Sequence, residues 1–264
     1  MKTLACLLSI LIPLYSPVAH FGSSRSDGCD RSELRWYVKR NCDHRVPDLP
    51  AEFSSIDEYG AYYADTKRTG EKVLYLTFDA GYENGNVERI LNVLKEKRAP
   101  GAFFILSHFL TANEELVGRM LDEGHLVCNH TAHHRNMARA TDVEARREIA
   151  DLETLFREKT GREMAKFFRP PEGTFSLAGL SIAKELGYVT VFWSFAYADW
   201  ANDKQPSPDY ALKKILDNLH PGAILLLHPT SKTNAAILPR LIDECRSLGY
   251  RFASLDELTG RSNK

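Results

Sequence analysis

Long apolar runs are missing from this chain of 264 residues. No stretch reaches the ~18 apolar residues that a membrane-spanning helix needs. An excess of charge of one sign is missing as well. The 34 Lys and Arg residues stand against 35 Asp and Glu, a formal net charge of −1, so no overall field draws the chain toward nucleic acid. Cysteine is scarce, with five in all, and none has the spacing of a metal-binding cluster. Cys128 and Cys245 lie in apolar contexts and read as buried thiols. Cys29 and Cys42 flank a polar stretch and could pair if the chain is exported. Cys6 is too near Met1 for a lipid-attachment cysteine.

What is present begins with an N-terminal signal. Lys2 precedes an apolar run over 4–15, followed by Ser16, Pro17, Val18 and Ala19. A short positive start and an apolar core of this length predict that residues 1–24 are a signal peptide and that the protein is exported. Pro17 spoils a small-residue cleavage site, so an uncleaved N-terminal anchor is the alternative. The remainder, with 44% hydrophobic and 26% charged residues overall, has the composition of a globular protein with a sizeable core.

From residue 73 onward two periodicities alternate. Short apolar or β-branched runs occur at 73–78, 102–106, 126–128, 166–168, 189–194, 223–227 and 251–253. Helical patterns lie between them at 87–97, 114–123, 142–159, 177–186, 209–219 and 235–248. Seven strands alternating with six helices predict an α/β fold of parallel βα units, a (β/α)7 barrel that is complete or incomplete. An open doubly wound sheet shares the pattern and is the less favoured arrangement. The highly charged 142–159 segment reads as a solvated helix face. Residues 25–70 lack the repeat and read as an irregular extension around the outside, leaving 71–264 as the main domain.

In parallel barrels the C-terminal ends of the strands carry the active site. The first run ends in Asp79, and later runs lead into "NHTAHH", "RPPEGTF", "SFAYADW" and "LLLHPT". Five strand ends therefore deliver Asp79, His130, His134, Arg169, Asp199 and His228 to one rim, which as a set points to an enzyme. His130 and His134 are four apart, a spacing that a helical turn would convert into two metal ligands on one face. Asp79 can take a proton from water and His228 can give one to a departing group. Amide hydrolysis needs both, because an amine leaves poorly unless protonated. Arg169 can keep Asp79 ionised, and Asp199 can orient His228 and raise its pKa.

The motifs "TFDAG", "HTAHH", "RPPEG", "ADW" and "LLLH" stand in the order found in the NodB-type polysaccharide deacetylases. In their longer forms, "TFDAGYENG", "NHTAHH", "RPPEGTFS", "VFWSFAYADW" and "HPGAILLLH", the chain resembles more narrowly the muramic acid δ-lactam-forming de-N-acetylases of bacterial spore cortex. The resemblance runs over roughly residues 70–260, with a fainter echo in "RWYVKRN". It implies Asp79 as catalytic base, Arg169 as its support, His130 and His134 as metal ligands, and Asp199 with His228 as the acid pair. It further implies the backbone N–H of Glu172 as oxyanion donor, Trp200 as a wall of the acid's pocket, and a divalent metal, expected to be zinc. One departure matters: the acid that directly follows the base in most of the superfamily is Ala80 here, so the metal is expected to be weakly bound. Glu83 and Glu172 are the other acids close by in sequence.

The substrate implied is the peptidoglycan glycan strand after a partner amidase has removed the stem peptide. Muramic acid then carries a free lactyl carboxylate, and removing the N-acetyl group exposes an amine that can close a six-membered lactam. Tyr82, Phe175, Trp193, Phe195 and Tyr197 offer faces for sugar stacking, although alternation along a strand would bury about half of such a set. The protein is expected to act as a monomer, with no nucleic-acid partner. The alternatives are a deacetylase of N-acetylglucosamine in peptidoglycan or chitin-like polymers, and a catalytically silent glycan-binding module that lost metal chemistry through Ala80.

Overall fold

The structure, a computed structural model, describes residues 30–68 and 70–260. The expected signal segment and Cys29, and with it the Cys29–Cys42 pairing, lie outside the described residues. Cys42 itself is exposed.

Among the described residues, ten strands and eight α-helices follow in order: β1 (Leu34–Arg35), β2 (Ala61–Tyr62), β3 (Val73–Ala80), α1 (Asn86–Lys97), β4 (Ala102–Ile105), α2 (Ser107–Ala112), α3 (Glu114–Asp122), β5 (Leu126–Asn129), α4 (Asp142–Thr160), β6 (Ala165–Phe168), β7 (Thr174–Phe175), α5 (Leu177–Glu185), β8 (Val189–Val191), α6 (Pro208–Leu216), β9 (Ala223–Leu227), α7 (Lys232–Ser247), β10 (Arg251–Phe252) and α8 (Leu255–Thr259). The seven expected strands are β3, β4, β5, β6, β8, β9 and β10, and all pair in parallel.

The sheet runs β10-β3-β4-β5-β6-β8-β2, with β9 on β3. It curls until the chain just past β8 meets β9. Phe195 bridges Leu225 in parallel, and the Leu226 N–H donates to the Phe195 carbonyl at 2.9 Å. The result is a barrel whose last seam is one bridge wide, the incomplete parallel barrel that the alternating pattern implied. β3 is its hub. Seven of its eight residues are buried, as a strand covered on both faces requires.

Local chemistry sets the helix starts. The Glu83 carboxylate accepts the Val87 N–H at 3.0 Å at the head of α1. Thr141 and Glu144 form a reciprocal capping box on α4, which satisfies two amide donors that a helix start otherwise leaves open. Two helices, α2 and α8, were not foreseen. At six and five residues they are too short to show a helical period.

The extension departs from expectation. It is mostly irregular, yet β2 pairs in parallel with β8 and so joins the barrel sheet, while β1 pairs antiparallel with β7. Trp36 anchors it. Its indole N–H donates to the Trp193 carbonyl at 2.9 Å, and its ring stacks on Phe192 and Phe53 at 4.4 and 4.9 Å. Two-residue strands carry too little sequence for a period of two to be read.

Candidate active site

The C-terminal edge of the barrel opens into a cavity of about 590 Å³ lined by Asp79, His130, His134, Glu172, Tyr82, Trp193, Tyr197, Trp200 and His228, among others. Sequence order scattered these residues over 150 positions. The parallel strands bring them together because each strand ends on the same edge.

Asp79 sits one residue from the end of β3 and faces Arg169, which follows β6. Arg169 is wholly buried, and its Nη1 donates to Asp79 Oδ1 at 2.7 Å. Its remaining nitrogens are held as well: Nε by the Val191 carbonyl at 2.8 Å, and Nη2 by Thr77 Oγ1 and the Phe192 carbonyl at 2.9 and 3.1 Å. The guanidinium also lies 4.2 Å from the centre of the Phe104 ring. With four of its five N–H donors on fixed acceptors, this cation is held against Asp79. Burial pushes the Asp79 carboxyl up, but the charge of Arg169, helped by His130 and His228, outweighs it and holds the pKa below the ordinary 3.8.

His130 Nδ1 lies 2.8 Å from the Arg169 carbonyl. A carbonyl can only accept, so Nδ1 carries the proton and the lone pair sits on Nε2, 3.7 Å from Asp79 Oδ2. Burial, against the pull of Asp79, lowers its pKa to about 4. The ring is therefore neutral at working pH, the form that binds a metal. His134 lines the same cavity, its ring centre 5.2 Å from that of His130.

The expected helical turn is absent. Residues 130–136 form no helix, and Thr131 and His134 both take left-handed backbone conformations (φ 74° and 57°). A loop folded by Asn129 and Thr131 side chains brings the two rings together instead. His133 turns outward to Glu148 at 3.0 Å.

Among the described residues, no group of three or more His, Cys, Asp or Glu is arranged to hold a metal. Glu83 is committed to the head of α1. Ala80 is fully buried in the main apolar cluster. The donor chemistry suits a divalent cation on His130 and His134, but the described residues supply no third dedicated ligand.

Across the cavity stands the second pair. His228 follows β9, and its Nδ1–H donates to Asp199 Oδ1 at 2.7 Å, leaving Nε2 for the cavity that the residue lines. Asp199 is 1% exposed, and its Oδ2 accepts the backbone N–H of His228 at 2.8 Å. Burial lowers the His228 pKa, but the hydrogen bond and charge of Asp199, with Asp79 behind them, raise it above the ordinary 6.5.

Glu172 has a left-handed backbone (φ 58°) on the turn after β6. Its N–H takes no acceptor among the described residues, and the residue lines the cavity. Gly173 makes the turn possible. Its φ is 66°, and a Cβ there would come within 2.7 Å of the Trp193 ring and 3.0 Å of Trp36 Cβ.

Tyr82 and Trp200 form the rim, 45% and 59% exposed, with Tyr82 accepting a hydrogen bond from Asn202. The Trp200 ring lies 6.0 Å from that of His228. Of the other aromatics, Trp193 and Tyr197 line the cavity while Phe175 and Phe195 are core. Sequence reasoning missed Thr77, Gln205, Ser231 and Asn234 around the two pairs. Thr77 reads as an ordinary strand residue and the others as polar residues near helix starts, and nothing in their spacing sets them apart.

A carboxylate held by an arginine and a histidine held by an aspartate, both opening into one cavity at a barrel mouth, are the equipment of a hydrolase. Residues 66–191 match the family model described as polysaccharide deacetylase. The chain is 38% identical over 238 residues to the peptidoglycan-N-acetylmuramic acid deacetylase PdaA of Bacillus subtilis, covering 90% of both. The solved structure of that protein, a family 4 carbohydrate esterase, superposes with a TM-score of 0.83 over 87% of this chain and 98% of that one. A family 4 carbohydrate esterase from Bacillus anthracis is 35% identical, with a TM-score of 0.73 over 89% of this chain and 99% of that one. A peptidoglycan-N-acetylglucosamine deacetylase of Bacillus cereus is 34% identical over 194 residues, 71% of this chain and 88% of that one. The chain belongs to the polysaccharide deacetylase family.

Proposed function

We propose that the protein hydrolyses the N-acetyl group of muramic acid residues in peptidoglycan, leaving an amine that closes onto the lactyl carboxylate as a δ-lactam. The observation that carries this reading is the facing of two opposed proton-transfer pairs across one cavity: Asp79 held ionised by Arg169, and His228 held by Asp199 with its pKa raised. The extent of the likeness to PdaA, 90% of both chains, favours muramic acid over N-acetylglucosamine.

Asp79 takes a proton from water as the water oxygen bonds to the acetyl carbon. The carbonyl oxygen then carries the negative charge, and the Glu172 N–H donates to it. When the C–N bond breaks, the electron pair goes to nitrogen, which receives its proton from His228 Nε2. Acetic acid and the amine leave, the acetic acid gives its proton to solvent, and the proton on Asp79 passes through solvent to restore the one His228 lost. Arg169 keeps Asp79 ionised without competing for its proton.

His130 and His134 would hold the divalent cation, zinc in this reading, whose chemistry is to polarise the acetyl carbonyl. Tyr82 and Trp200 would give the sugar ring its apolar faces. The working protein would be a monomer outside the cytoplasm, with residues 71–264 as its catalytic domain and an amidase preceding it on the glycan.

Mass spectrometry of glycan strands tests the substrate. Peptide-stripped strands should lose one acetyl group per reacted muramic acid and then one water on ring closure, with little acetate released from chitotetraose. Fast release from chitotetraose, with none from stripped strands, would move the assignment to N-acetylglucosamine.

A further inference from the structure

The His228–Asp199 pair is itself held from behind by groups that neither line the cavity as donors nor belong to either proton-transfer pair. Asn234, in the first turn of α7, is 1% exposed. Its Nδ2 donates to Asp199 Oδ2 at 2.6 Å and to the His228 carbonyl at 3.1 Å. Its Oδ1 accepts the Tyr197 hydroxyl.

The Asp199 carboxylate and the His228 carbonyl can only accept, and they determine which way round the amide lies. Burial raises the Tyr197 phenol pKa, so the hydroxyl keeps the proton that it donates to Asn234 Oδ1. A flipped Asn234 would bring its own oxygen against the Asp199 carboxylate and the His228 carbonyl, neither of which can donate. Only one orientation satisfies all three partners.

The backbone of Asn234 is pinned in turn. Its N–H donates to Ser231 Oγ at 3.1 Å, Ser231 donates to Gln205 Oε1, and Gln205 Nε2 donates to the Asp199 carbonyl at 2.8 Å. The ring Asp199–Gln205–Ser231–Asn234–Asp199 closes on itself. It ties the loop that carries the aspartate to the helix that follows the histidine.

We propose that Asn234 is a positioning residue of this enzyme. With Tyr197 as its lock, it holds Asp199 in the one rotamer that presents Oδ1 to His228 Nδ1 and so aims His228 Nε2 at the leaving nitrogen. Asn234 never meets the substrate; it acts through Asp199. The inference rests on the reading of His228 as the acid.

Four variants of the full chain, assayed for acetate release from peptide-stripped glycan strands, test it: Asn234→Leu, Tyr197→Phe, His228→Ala and the double Asn234→Leu/His228→Ala. Asn234→Leu should lower kcat roughly 10- to 100-fold, the range seen when the partner orienting a functional group is lost, with KM within about twofold because no substrate contact changes. It should also displace the alkaline limb of the pH–rate profile. Tyr197→Phe, which deletes one hydroxyl and keeps the ring, should move both readouts the same way by less. It carries the test if Asn234→Leu does not fold.

In the double variant, losing Asn234 should add nothing to losing His228, since it acts only through that histidine. An effect of Asn234→Leu that multiplies with that of His228→Ala, or an unmoved alkaline limb in Asn234→Leu and Tyr197→Phe alike, would make Asn234 a packing residue and overturn the inference alone. If His228→Ala keeps near wild-type turnover, the acid assignment falls and this inference falls with it.

Discussion

Asp79 and His228 carry opposite pKa displacements, and the signs fix the pH dependence of the reaction. A carboxyl held below 3.8 stays ionised until the pH falls beneath that value, and an imidazole raised above 6.5 stays protonated until the pH climbs past it. The rate should therefore be level between these two displaced pKa values and fall along an alkaline limb above 6.5. An alkaline limb at or below 6.5 would mean that His228 is not raised in the working enzyme. The same signs apply to folding: stability from Asp79 is lost as the pH falls through its lowered pKa, and stability from His228 is lost as the pH rises through its raised one. Asp79→Asn and His228→Ala should each cost at least ~10²-fold in turnover, with unchanged circular dichroism. Ala80 offers a further test at this scale. It is fully buried, so Ala80→Asp should lower the Tm in chelator, where a buried carboxylate has no partner. Zinc should then raise the Tm of the variant more than that of the parent, because a third charged ligand has joined two imidazoles. Equal zinc affinity in both, by titration calorimetry, would mean that the parent already has a third ligand.

Elements differ in how much of the site they carry. β3 and β9 present Asp79 and His228 from strand ends that the apolar runs mark clearly. The turn after β6 is another matter, because its function lies in backbone direction. Gly173→Ala would press a Cβ against Trp193 and Trp36 at a left-handed position. It should destabilise by about 1–3 kcal/mol and lower turnover by moving the neighbouring Glu172 N–H. Denaturant melts paired with kinetics would separate the two effects. Stability loss with full turnover would argue against the Glu172 N–H as the oxyanion donor.

At the scale of the whole molecule the extension is part of the barrel. It adds β2 to the sheet, and Trp36 stacks on Phe192, whose carbonyl receives Arg169 Nη2. Trp36→Ala should cost about 3–5 kcal/mol, as for a large buried aromatic, and slow the reaction by loosening the Arg169 cradle behind Asp79. Full activity in a variant of lowered Tm would show that the cradle holds without the extension.

The residues themselves determined a good part of this protein. The alternation of apolar runs and helical periods located the seven parallel strands, because burial on both faces leaves a continuous apolar record. Strand ends then named Asp79, His130, Arg169, Asp199 and His228, because in a parallel barrel every strand delivers its last residues to one edge. Tertiary structure decided the rest. It folded the His130–His134 segment as a left-handed loop where spacing alone had implied a helical turn, since side-chain bonds from Asn129 and Thr131 outweighed local propensity. It enlisted β2 from a stretch too short to show a period, and placed Asn234 behind Asp199 from 35 positions away. A contact between residues so far apart in sequence leaves no local pattern, and only closure of the barrel brings them within reach of one hydrogen bond.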